Sequence, residues 1–157
     1  MKDAKISRCG CYRYALWRVW DHGIPYAMFI GLNPSIADAQ NDDPTLRRCI
    51  GYARSWGYGG VCIGNLFAYR ATDPSELYAV PDPVGADNDG WLERLAQEAG
   101  ITVAAWGNRG QYMNRDRRVM LRLGSLYCLG VTKHGHPKHP LYLRKDLKAI
   151  PWIGVTA

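Results

Sequence analysis

Ile30-Gly31-Leu32-Asn33-Pro34-Ser35, entered through Tyr26-Ala27-Met28-Phe29-Ile30, is the stretch on which the reading of the fold turns. A short apolar run bounded by turn residues reads as a buried strand. Gly31 lets the chain turn without a Cβ. Pro34 removes a backbone donor and fixes φ, so the exit from the strand is rigid. Asn33 therefore stands on a stiff turn at the carboxyl end of a strand, the edge at which open α/β sheets bind ligands.

Working outward, Arg13-Tyr14-Ala15-Leu16-Trp17-Arg18-Val19-Trp20-Asp21 partly alternates and is rich in aromatics, which predicts a sheet-edge strand. His22-Gly23-Ile24-Pro25 then closes a hairpin onto the Tyr26–Ile30 strand. Asp43-Pro44 reads as an N-cap followed by proline at the first helical position, opening a helix that runs to Trp56 and stops at Gly57. Further strands are expected at Gly60–Phe67, Ile101–Trp106 and Leu126–Gly130, and helices at Asn88–Gly100 and Gln111–Gly124. Between the second strand and its helix lies a loop rich in Asp, Pro and Ser. From His134 onward the chain reads as loop with at most one helical turn. Strands alternating with helices predict a parallel sheet covered on both faces. The expectation is one α/β domain over residues 1–157: a three-layer sandwich with a central, mainly parallel four-stranded sheet and an N-terminal antiparallel edge strand.

The chain has 157 residues, enough for one domain with a real core, and a formal charge of +6 that is compatible with a polyanionic partner without requiring one. The N-terminal Met1-Lys2-Asp3-Ala4-Lys5 has no leader character, and no apolar run approaches the ~20 residues needed to span a bilayer. A cytoplasmic protein with no membrane association is expected. Cys49, Cys62 and Cys128 fall in helix- or strand-like runs and read as reduced core thiols. Cys9-Gly10-Cys11 lacks the two-residue spacer of zinc and redox motifs. No metal site and no cofactor are expected.

In a parallel sheet the strand ends share one rim. Here the rim collects Asn33 and Ser35 after the first core strand, and Asn65, Phe67, Tyr69 and Arg70 after the second. Trp106 and Asn108 follow the third, and His134, His136, Lys138 and His139 the fourth. Amide side chains donate and accept together, which suits the edge of a nucleobase. Aromatics stack on one, and Arg or Lys fit phosphates. Each residue also has a plainer reading. An Asn after a strand is commonly a turn residue, the histidine spacing matches no helix-borne zinc pair, and the run Arg115 to Arg122 is a typical solvated helix face.

Four rim segments resemble, in order, motifs of the uracil-DNA glycosylase superfamily. Gly31-Leu32-Asn33-Pro34-Ser35 is similar to its first active-site motif, in the form found in mismatch-specific glycosylases. Ile63-Gly64-Asn65-Leu66-Phe67-Ala68-Tyr69-Arg70 resembles the strand whose terminal Asn reads the uracil edge. Val103-Ala104-Ala105-Trp106-Gly107-Asn108 resembles a strand ending in Trp-Gly. His136-Pro137-Lys138-His139-Pro140-Leu141 resembles the motif that contacts the base and pinches the DNA backbone. The chain also resembles an uncharacterised bacterial and phage family marked by Gly31–Ser35, Ala37-Asp38-Ala39, Asp42–Thr45 and Arg47–Cys49.

The glycosylase resemblance implies hydrolysis of the N-glycosidic bond of a flipped base that is uracil-like, mismatched or modified, in DNA repair or phage–host conflict. Asn33 would hold the water, with Asp38 or Asp42 as base. Asn65 would bind the base edge, and Phe67, Tyr69 or Trp106 would stack. His136 would donate to the leaving base. Gly31, Pro34, Ser35 and Asn108 would complete the substrate contacts, with Arg70, Lys138 and His139 beside them. Asn33 replaces the Asp of the most active members, which implies slower chemistry. Lys138-His139 interrupts the last motif and leaves His136 and His139 both open as the donor. The alternative is a module that binds a base, nucleotide or DNA without cleaving it, and a third class is an interaction protein with no nucleic-acid role.

Overall fold

The computed structural model describes residues 1–155. Its seven strands are β1 (Lys2–Ile6), β2 (Arg13–Val19), β3 (Ala27–Gly31), β4 (Gly60–Asn65), β5 (Ile101–Ala104), β6 (Leu126–Cys128) and β7 (Ile150–Trp152). The helices are α1 (Pro44–Ser55), α2 (Asn88–Glu98) and α3 (Arg115–Leu123). The strands form one sheet in the order β1-β2-β4-β3-β5-β6-β7. The parallel heart is β4-β3-β5-β6, and β1, β2 and β7 add antiparallel at its two sides.

Side-chain alternation builds two cores. Ala27 and Phe29 face α1, with Leu46, Cys49, Tyr52 and Ala53 packed against them. Met28 and Ile30 face the other way, onto Leu92 and Leu95 of α2 and Val119 of α3. The result is a three-layer α/β sandwich. Chain direction explains the sides: β3 to β4 steps one way across the sheet, whereas β4 to β5 and β5 to β6 step the other way. Crossovers of one hand then put α1 opposite α2 and α3. The switch point falls between β3 and β5, where the strand ends open a crevice.

α1 begins as its sequence predicts. Asp43 sits extended, with φ −108°, and its Oδ1 accepts from the Leu46 N–H at 2.7 Å, with Pro44 next in the chain. The predicted hairpin does not form. β2 pairs with β4, because β3 is flanked by parallel β4 and β5 and has no free edge to offer. Nor is β2 an edge strand, since β1 covers it. The sheet has seven strands where four and an edge strand were expected. β7, in a stretch read as loop, pairs with β6 through three residues that include Pro151. α3 starts at Arg115 rather than Gln111, because Met113 and Asn114 adopt left-handed backbone, with φ 54° and 59°. No helix among the described residues is long and apolar enough to cross a membrane.

Candidate functional site

A cavity of about 430 Å³ opens at the switch point, on the α1 face of the sheet. Its floor is apolar: Leu16, Phe29, Ile63 and Ala105 from the strands, Leu46 and Cys49 from α1. Its polar lining comes from segments far apart in the chain: Arg13, Asn33, Ser35, Asp43, Asn65, Asn108, Arg109 and His139, with Trp106 at its edge and the Trp106 ring packed on Trp152 on the other face of the sheet. An apolar pocket with a few convergent polar groups is the usual form of a small-molecule site.

Asn65 ends β4 directly beside Gly31 of β3. It is 2% exposed, and its Nδ2 is buried without an acceptor. A Cβ on Gly31 would lie 2.9 Å from Asn65 Oδ1, so only glycine leaves this amide its place. The backbone behind it is clamped. Asn88 Nδ2 donates to the carbonyls of Asn65 (2.9 Å) and Leu66 (3.1 Å), and Arg115 Nε donates to Leu66 at 3.0 Å. Arg115 is thus a buried structural cation paired with Asp89 at 2.8 Å, not part of a solvated face.

Asn33 spends its Nδ2 on the carbonyls of Ala71 (2.8 Å) and Pro34 (3.1 Å). Its Oδ1 accepts no hydrogen bond from the described residues, which leaves a fixed acceptor at the cavity. Asp43 is buried, and both its oxygens are held: Oδ1 by Leu46 N–H, Oδ2 by Ser35 Oγ at 3.2 Å. It is the carboxylate at the cavity; the sequence places Asp43 among the rim carboxylates as well as at the cap, but favours Asp38 and Asp42 as bases. Capping fixes Asp43 at the start of α1, and the hydrogen bond from Ser35 holds its second oxygen at the rim.

His139 reaches the cavity where His136 does not. The His139 Nδ1 accepts from the Leu141 N–H at 3.2 Å, so in the neutral ring Nε2 carries the proton and is the donor. The residue is exposed at the cavity mouth, and partial desolvation of its ring lowers its pKa below the ordinary histidine value, with the charge of Asp43 partly opposing that shift. His136 is buried in its turn, with its backbone N–H on Thr132 Oγ1 at 3.2 Å and its Nδ1 unpartnered.

Of the residues singled out from the sequence, Gly31, Asn33, Ser35, Asn65, Trp106, Asn108 and His139 meet at the cavity. The others lie elsewhere. Asp38 is turned into its own loop, its Oδ1 accepting from the Gln40 and Asn41 N–H groups, which hold its carboxyl below the usual range. Asp42 pairs with Arg18 at 2.8 Å. Phe67 is fully buried against Tyr112, and Tyr69 packs edge-on against Tyr12. Arg70 Nη1 donates to the Gly10 carbonyl. Pro34 is buried, its carbonyl accepting from Ala71 N–H, and Lys138 is exposed beside Gly130. Arg13, which carried no functional signal in the sequence, lines the cavity. A second groove, of about 610 Å³, runs along α1 and carries Arg47, Arg48 and Lys145. No cluster of metal-ligating side chains occurs among the described residues.

No curated protein and no solved structure matches the chain. A family model described as a protein of unknown function, DUF1643, matches residues 13–141, which takes in β2 through the segment carrying His139 and every polar residue of the cavity. The chain belongs to the DUF1643 family.

Proposed function

We propose that the cavity binds a nucleobase and that the protein hydrolyses the N-glycosidic bond attached to it, in the manner of the uracil-DNA glycosylase superfamily that its rim motifs resemble. The observation that carries this reading is the Asn65 amide. It is almost wholly buried, rigidly backed, and left with an unused donor in an apolar pocket. A buried donor without an acceptor costs stability, so a ligand acceptor is its natural complement.

In this reading Asn65 holds the base edge and the apolar floor takes its ring. The His139 Nε2–H donates to the base as negative charge develops on it. The Asn33 Oδ1 accepts a hydrogen bond from the attacking water and orients it, the proton that the water gives up going to the departing base, and the anionic Asp43 stabilises the oxocarbenium-like sugar. Preorganised groups of this kind contribute ~3 kcal/mol each to a transition state. The bond from sugar to base breaks, water adds to the sugar carbon, and the base leaves with a proton.

The test is release of free base, followed by chromatography, from duplexes carrying uracil, mismatched thymine or modified bases and from the corresponding nucleotides. Release that is lost in Asn65→Ala supports the reading, and no release at stoichiometric enzyme ends the hydrolytic claim. A second reading, binding without cleavage, is favoured by one observation. Position 33 offers a neutral amide whose donor side is already committed, and therefore no base to deprotonate water. It predicts saturable binding with the ligand recovered intact.

A further inference from the structure

Five buried polar side-chain atoms among the described residues lack a hydrogen-bond partner, and two of them belong to side chains of the cavity: Arg13 Nε and Asn65 Nδ2. Both are donors. A pocket whose unmet groups are donors is shaped for a ligand rich in acceptors.

Arg13 is the extreme case. It is 3% exposed, yet its guanidinium makes one hydrogen bond, from Nη1 to the Ala37 carbonyl at 2.6 Å. No carboxylate of the described residues lies within 4.0 Å of it. Asp43 acts on it favourably from further away, and Arg18 and Arg70 act against it. Buried arginines are normally paired, because an uncompensated charge in the interior is costly. Burial lowers the Arg13 pKa to about 10, which still leaves it charged at neutral pH.

The backbone places this charge deliberately. The β1–β2 register steps from Lys5↔Ala15 to Ile6↔Arg13, leaving Tyr14 as the extra residue of a β-bulge. Strict alternation would put Arg13 on the face of Ala15 and Trp17, which pack toward α2 and α3. The bulge turns it to the face of Leu16, where the cavity lies. Bulges commonly re-aim one side chain in this way.

We propose that Arg13 anchors a terminal phosphate, and that the natural ligand is a free nucleoside monophosphate rather than a base flipped from a strand. This rests on the nucleobase reading above and narrows its substrate. The guanidinium fork matches phosphate oxygens in two-pronged fashion. Its depth selects the kind of phosphate. A phosphodiester continues in both directions and needs two exits to solvent, whereas a terminal phosphate is a chain end and needs none.

Calorimetry of the full chain tests this with the common deoxynucleosides, their 5′-monophosphates, ribose 5-phosphate, and oligonucleotides containing the same bases. At least one monophosphate should bind about 10- to 100-fold tighter than its nucleoside, the range of a charged hydrogen-bonding contact. Arg13→Gln should bring that ratio near one, and Arg13→Lys should keep part of it. If neither variant folds, as judged by thermal melting, the ratio in the unaltered chain decides. No monophosphate advantage, or tighter binding of an oligonucleotide than of the free nucleotide, overturns the proposal. Arg13-dependent binding of ribose 5-phosphate with no discrimination among bases keeps the phosphate anchor and defeats the nucleobase reading. Nucleosides bound as well as monophosphates do the reverse.

Discussion

Asn33 gives its side-chain amide to the carbonyl of Ala71 at 2.8 Å, and that bond decides which end of the amide the cavity receives. With Nδ2 also shared with the Pro34 carbonyl, rotation of the amide would oppose oxygen to oxygen. The acceptor end is therefore the one presented.

Asn33→Asp follows directly from this geometry. The superfamily resemblance alone makes the substitution a route to faster hydrolysis. The structure opposes it, because a carboxylate would face two carbonyl oxygens and the Nδ2 bonds would be lost. The expected outcome is a loss of about 1–3 kcal/mol in urea unfolding and no gain in base release. A stable variant with faster release would refute this account of position 33.

Asp43 has two duties that separate by substitution. Asp43→Ala removes the cap of α1 and should cost about 0.5–2 kcal/mol. Asp43→Asn keeps an acceptor for the Leu46 N–H, so its stability should stay within about 0.5 kcal/mol of the unaltered chain, while loss of the charge should slow base release at least tenfold. Chemical unfolding and a release assay on both variants distinguish the two duties. Equal release by Asp43→Asn and the unaltered chain would remove the carboxylate from the chemistry.

Gly31→Ala is the mildest way to disturb Asn65. The new methyl would sit 2.9 Å from Oδ1, closer than side chains tolerate, so the amide must move a few tenths of an ångström. Ligand binding should weaken about tenfold with at most about 1 kcal/mol of lost stability, since the φ of Gly31 is ordinary. Asn65→Leu should melt close to the unaltered protein, because the Nδ2 it removes bonds to nothing, yet bind no base.

Partial desolvation of the His139 ring gives the stability a pH dependence whose sign follows from the direction of its pKa shift. Its folded pKa lies below the ordinary 6.5 because the ring is desolvated, so as pH falls the unfolded chain takes up the proton first. This contribution to stability is present above about 6.5 and declines as pH drops toward the lower folded value. His139→Gln should flatten the change in urea midpoint between about pH 7 and pH 5. An unchanged slope would show that the ring titrates as it does in water.

The repetitive layers were legible in the sequence. The Tyr26–Ile30 run, the Asp43-Pro44 start and the stop at Gly57 are local signals, because strand burial and helix capping are settled by residues within a few positions of one another. The strand ends identified Asn33, Asn65, Trp106 and His139 as rim residues for the same reason. What the sequence could not carry was long-range. β2 chose β4 over β3 because β3 had two parallel neighbours already. β7 is three residues long and includes a proline, so its pairing with β6 leaves no period to read. His136 and His139 are three residues apart, and only the tertiary turn sends one into the protein and the other to the cavity. Arg13 is the sharpest instance. Its alternation pattern pointed to the wrong face, and a single extra residue in the β1–β2 register reversed it. Sequence alone determined the core strands and the three helices, and hence which residues reach the rim. The three-dimensional packing decided which of them share a cavity, because side-chain direction depends on register and on neighbours distant along the chain.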